Sequence, residues 1–173
     1  NNLATLYRSI GDYARAEPLY DRALKINEKV LGPDHPNTAI SLSHLGGLYL
    51  KMGDYSRAEA LTQRVLKIRE KVLGPDHSYT TSAIFSLAHL EILKQNFDKA
   101  LAYFKTGLKK QDLHISNVFS IATEQQKFKF IQSVEHSYYN ILTLIRQHFN
   151  DDQDSLRYAL ELVLRRKGIV YDA

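Results

Sequence analysis

The chain of 173 residues contains no cysteine and no tryptophan. The missing thiol excludes disulfide scaffolds, cysteine-ligated zinc and thiol nucleophiles, and it is compatible with the cytoplasm, the expected location. Glycine (8) and proline (4) are scarce, so little in the chain interrupts helices. No run of about 18 apolar residues occurs, so no membrane-spanning segment is expected. No secretory-leader pattern is visible either. Basic residues outnumber acidic ones only by 23 to 19, a surplus too small and too dispersed for a nucleic-acid footprint. The apolar fraction, 44%, is that of a folded chain. The first residue is Asn1, and the sequence is expected to be a piece of a longer protein.

The few glycines and prolines sit at fixed intervals. LGPDHP at 31–36 returns as LGPDHS at 73–78, and GDYARAEPL at 11–19 returns as GDYSRAEAL at 53–61, both at an offset of 42. Aligning 1–36 with 43–78 gives 22 identities in 36 positions, which identifies a duplication. A fainter third copy follows: Asp12, Tyr13 and Ala16 become Asp54, Tyr55 and Ala58, then Asn96, Phe97 and Ala100. The match ends near Leu108.

Each copy reads as two helices. Ile40, Leu42, Leu45, Leu48, Tyr49 and Met52 recur at spacings of three and four, as do Tyr55, Ala58, Leu61, Val65, Ile68 and Val72, which is the helical signature. Gly53 ends one helix and Asp54 caps the next. Gly74-Pro75 ends the second, with Asp76 or Ser78 expected as the following cap. The spacing predicts helices near 1–10, 13–31, 36–52, 55–73, 78–94 and 97–110. The small Ala16, Ala58 and Ala100 mark where paired helices approach closely. A helix pair with one apolar face cannot bury that face alone, so the copies are expected to stack into a superhelix.

The pattern L-x-x-L-Y-x-x-x-G-D-Y-x-x-A-E-x-L-x-x-R-A-L-x-I-x-E-K-x-L-G-P-D-H-P, carried by residues 3–36 and repeated at 45–78, resembles the tetratricopeptide repeat in the long form typified by kinesin light chain. The resemblance implies an all-α, right-handed superhelical solenoid with units at 1–35, 36–77 and 78–112 and a helical tail at 113–173. It further implies a non-catalytic scaffold that holds a protein or peptide segment in a concave groove lined by the first helix of each pair. Carried over position by position, the groove residues are Asn2, Thr5, Arg8 and Ser9, then Ser43, His44, Gly47, Leu50 and Lys51, then Phe85, Ser86, His89, Ile92 and Leu93. Asn2 matches the groove asparagine of the family, whereas His44 and Ser86 stand where an asparagine ladder would continue. With Arg8 and Lys51 as cations, the groove suits an extended segment with acidic character. A helical segment is the alternative.

Past the repeats, Phe128, Ile131, Val134, Tyr138, Ile141, Leu142, Ile145 and Phe149 form one helical stripe. After the break at Asn150-Asp151-Asp152, Leu156, Leu160, Val163, Leu164 and Val170 form another. The expected structure is a hairpin capping the array. The final segment, with Leu164, Arg166, Lys167, Gly168 and Ala173, resembles the junction between tetratricopeptide arrays and caspase-like peptidase domains in bacterial proteins of the CHAT class. That resemblance implies a sensor module whose peptidase would lie downstream and could be its own partner. A further expectation is association of copies through exposed array ends.

No catalytic chemistry, metal site or cofactor is expected. His35 and His77 sit 42 residues apart because of the repeat, and belong to helix-start turns. No metalloprotease, phosphate-loop or dinucleotide motif occurs. Tyr7, Tyr13, Tyr49 and Tyr55 hold repeat positions, where helix packing explains them. Lys25, Lys29, Lys67 and Lys71 read as a solvated face.

Overall fold

Helix boundaries in this chain are set by short turns that recur from unit to unit. The computed structural model describes the backbone of residues 2–119, 123 and 137–171 and the side chains of 2–112, 123 and 137–163. In order, the helices are α1 (Asn2–Ser9), α2 (Tyr13–Leu31), α3 (Pro36–Met52), α4 (Tyr55–Leu73), α5 (Ser78–Leu93), α6 (Phe97–Phe119), α7 (described over 137–148) and α8 (Gln153–Tyr171). From α1 to α6, each helix packs on its neighbours in the chain. The result is the all-α stack expected from the repeat. α6 runs past the expected end at 110 to Phe119, since no glycine or proline stops it.

The turn inside each unit needs a residue with positive φ. Gly11 (80°) and Gly53 (77°) supply it, and in the third unit Gln95 is forced to 62°, where a Cβ is strained. Asp12 and Asp54 then cap α2 and α4 by accepting from the amides of Arg15 (3.1 Å) and Arg57 (3.0 Å). Asp152 does the same for α8 through Ser155 (3.0 Å). Between units the cap differs from expectation. It is not Asp76 or Ser78 but His77, whose Nδ1 accepts from the Tyr79 amide at 3.1 Å, as His35 does from Asn37. An imidazole nitrogen two bonds from Cβ reaches an unpaired helix amide as a carboxylate oxygen does.

The core is a continuous seam. Ala16, Ala58 and Ala100 are at most 1% exposed, so the paired helices meet almost backbone to backbone at each repeat of this position. A first cluster gathers Tyr20, Leu24, Leu42, Leu45, Leu48, Val65 and Ile68 from α2, α3 and α4. A last cluster gathers Phe104 and Leu108 of α6, Tyr138, Ile141, Leu144 and Ile145 of α7, and Leu162 of α8. Tyr138 also donates to Asp112 at 2.6 Å, and Phe97 stacks on His148 with centroids 3.6 Å apart. Phe128, Ile131 and Val134 lie outside the described residues, as does Ala173, and Leu164 to Val170 lie beyond those whose side chains are described.

Polar clasps join the units beside this seam. Tyr49 of α3 donates to Glu17 of α2 at 2.7 Å, and Arg57 of α4 pairs with the same carboxylate at 3.2 Å while lying 4.0 Å over the Tyr49 ring. One unit on, Glu59 replaces Glu17 and Glu91 replaces Tyr49. Lys94 bridges both carboxylates at 2.6 and 2.9 Å, and Asn96 donates to Glu91 at 2.8 Å. Glu91 is 1% exposed. Burial pushes its carboxyl up, but the bonds from Lys94 and Asn96 outweigh this and hold it below the usual carboxylate value. Asp34 with Lys71, and Asp76 with Lys110 at 3.3 Å, add exposed ion pairs at the loops, each worth little.

Two positions test this packing. Gln95→Gly removes the strain at positive φ and should raise stability by about 0.5–1 kcal/mol, read as a higher denaturation midpoint. A Cβ on Gly107 would stand 2.5 Å from the Phe85 ring. Gly107→Ala should therefore cost about 1–2 kcal/mol in spite of alanine's better helix propensity. In a Phe85→Leu background the sign should reverse, because the obstruction has gone.

Candidate functional site

The first helices α1, α3 and α5 carry the residues expected along the groove, and the second helices α2 and α4 floor the seams between them. In the first seam, the ring of Tyr20 on α2 fills the space and is 0% exposed. Its hydroxyl pairs with that of Thr5 at 2.9 Å, its ring stacks on His44 at 5.8 Å and 13°, and the Arg8 guanidinium lies 6.0 Å over it. Thr5, Arg8 and His44 are thus brought together around an internal ring. Arg8 reaches on to Gly47, whose missing side chain leaves room for Nη1 at 3.1 Å from where a Cβ would stand.

The second seam is open. A cavity of about 310 Å³ lies between α3, α4 and α5. Of the residues that the repeat pattern assigns to a groove, Ser43, Gly47, Leu50, Ser86 and His89 line it. Its floor comes from residues outside the expected groove set: Ala58, Thr62, Val65 and Arg69 on α4, with Ala83 and Leu90 on α5. Ser43, Ser86 and Thr62 turn their hydroxyls back to helix carbonyls at 2.8–3.0 Å. Arg69 donates to the Tyr79 carbonyl at 2.8 Å, and burial lowers its pKa.

In the third seam, Phe104 of α6 is fully buried, with Phe85 tilted against it at 6.0 Å and His89 edge-on at 5.6 Å. Phe85 is therefore drawn into packing over Gly107, and Ile92 packs into the C-terminal cluster. His89 is also within 3.3 Å of Asn140 on α7. Asn2, Ser9, Lys51 and Leu93 are exposed. Among the described residues, Arg8, Lys51 and Arg69 have no carboxylate partner.

With this geometry in view, comparison with known proteins decides the family. The tetratricopeptide repeat profile matches residues 1–71 and 43–110. The chain belongs to the tetratricopeptide repeat family. Repeats of this family mediate protein–protein interaction and are typically non-enzymatic. Among solved structures, BtubC (BKLC) from P. vanneervenii superposes with a TM-score of 0.72 at 18% identity, covering 98% of this chain and 61% of that one. The chain thus spans about three fifths of that protein. A Podosopora anserina kinesin-light-chain-type protein with nearly identical TPR-like repeats gives 0.58 at 18% identity, over 98% and 88% of the two chains. The apo form of RapI gives 0.55 at 19% identity, over 98% and 67%. At these identities the likeness shows the fold alone. No curated protein matches at the sequence level. No helix among the described residues is long and apolar enough to cross a membrane.

His44 reports on the filled seam. Burial, and then the charge of Arg8, lower its pKa. Its folded value lies below its unfolded one, so its contribution to stability is present above about pH 6.5 and fades as pH falls through the folded value. A proton NMR titration should place the His44 midpoint below about 6.5, and Arg8→Gln should move it upward. A midpoint at or above the ordinary value would show that the ring is not held against Tyr20 as described.

Proposed function

We propose that the chain is a non-catalytic docking module that holds an extended segment of a partner protein along the face of α1, α3 and α5, in the cytoplasm. The observation that carries this reading is the open second seam. There Ser43, Gly47, Ser86 and His89, from two first helices, surround one cavity with Thr62 and Arg69 beneath. Such a cavity, mostly apolar with a few polar groups, is what a recognition site requires. Arg69 lines this cavity, Arg8 reaches Gly47 at its edge and Lys51 is exposed on α3, and all three lack carboxylate partners among the described residues. A segment with acidic side chains would supply the missing counter-charge and gain in association rate and specificity.

Selection from a displayed peptide library against the whole chain would identify a binding segment. Its affinity should fall about 5- to 50-fold for His89→Ala and for Lys51→Glu. It should stay unchanged for Lys67→Glu, an exposed position on α4 away from the cavity. Equal affinity in all three variants would remove the binding face from α3 and α5.

A further inference from the structure

The repeat offers an internal comparison of its own seams. Tyr20, Thr62 and Phe104 are equivalent positions, 42 residues apart. Two of the three place an aromatic ring in the seam between successive first helices, and both rings are fully buried. The middle one is a threonine. The residues that surround Tyr20 also shrink or lose their polar ends at the next unit: Thr5 becomes Gly47, Arg8 becomes Leu50 and His44 becomes Ser86. All of these replacements line the 310 Å³ cavity. Val65 for Ala23 and Arg69 for Asn27 run the other way and narrow the floor, yet the room stays open.

We infer that the second seam is a socket for one six-membered aromatic side chain, phenylalanine or tyrosine, of the bound segment, seated in the space that Tyr20 and Phe104 fill from within. The inference rests on the docking reading above. The occupant is argued from shape. In the neighbouring seams this chain shows which group fits between consecutive first helices on an alanine floor, namely a ring. Ala58 supplies that floor here, as Ala16 and Ala100 do at the neighbouring positions. One wall is already braced, because His89 packs edge-on against Phe104 and pairs with Asn140. A wall that needs no ordering on binding raises affinity. A ring in the socket would leave water for Leu50, Val65 and Leu90, gaining the apolar burial that the first and third seams obtain internally.

The probe is p-cresol, followed by NMR on the Thr62 methyl and His89 ring signals of the whole chain. It should bind the unaltered protein and not Thr62→Phe, in which the repeat's own solution is restored. Thr62→Phe should also raise the thermal midpoint, because the added ring enters existing space. Thr62→Val keeps the space and should keep p-cresol binding. For the segment found by library selection, Thr62→Phe should weaken binding about 10- to 100-fold, as should alanine in place of its aromatic residue. If p-cresol does not bind the unaltered protein, or binds Thr62→Phe equally, the socket is refuted. If the segment binds Thr62→Phe unchanged while His89→Ala and Lys51→Glu weaken it, the socket is refuted and the docking face stands. If Thr62→Phe unfolds the chain, the peptide alanine variant on unaltered protein decides the matter: loss supports the socket and equal affinity refutes it.

Discussion

Everything in this fold depends on the close approach of helices at one repeated small residue. Ala16, Ala58 and Ala100 let each second helix sit nearly against the backbone of a first helix, with no more than 1% of any of them exposed. Any larger side chain there would separate the pair and open the seam along its length. Because the pair's apolar face is then only half covered, the next pair must cover the rest. The chain is thus a stack in which each interface is built from the same positions. Energetically the seam dominates, since exposed ion pairs such as Lys25 with Asp21 contribute little.

A repeated interface need not be filled in the same way each time. The clasps show how polar groups beside the seam are paired twice with different partners. Glu17 receives a tyrosine hydroxyl and an arginine, whereas Glu59 shares a lysine with the buried Glu91. Both solutions leave the carboxylates paired, which the buried Glu91 requires. Such clasps hold neighbouring units in fixed relation. Side chains within the seam can then change without the stack losing register, and the second seam shows that change at positions 47, 62 and 86.

Helix placement was almost wholly legible from the repeat. α2, α3 and α4 begin and end where the glycine, aspartate and proline spacing predicts, because those residues fix backbone geometry locally. The His35 and His77 caps were not, since preference for caps is usually read from serine, threonine, aspartate and asparagine. The strain at Gln95 was legible in principle, from its alignment with Gly11 and Gly53, but lies in a faint copy of the repeat. For the site, Ser43, Gly47, Ser86 and His89 were named from the family pattern, and the cavity gathers them. Thr62, Val65 and Arg69 were missed because that pattern assigns the groove to first helices alone. The signal that finds them is the contrast of Tyr20 and Phe104 with Thr62 at one repeat position.

That contrast bears on how a repeat becomes specific. In three copies of a repeat, an aromatic ring present twice sets an expectation of packing, and its absence from the middle copy leaves vacant volume. An isolated cavity in a helical protein is ordinarily a defect, costing stability in proportion to its size. Here the cavity is lined by Arg69, which has no carboxylate partner among the described residues, and is walled by His89, which packs edge-on against Phe104. A defect with those neighbours has the features of a recognition pocket: apolar volume, a few oriented polar groups and charge at the rim. The stability forgone at the second seam can then be recovered by a partner that brings the missing ring, so the occupied stack should be more rigid than the empty one.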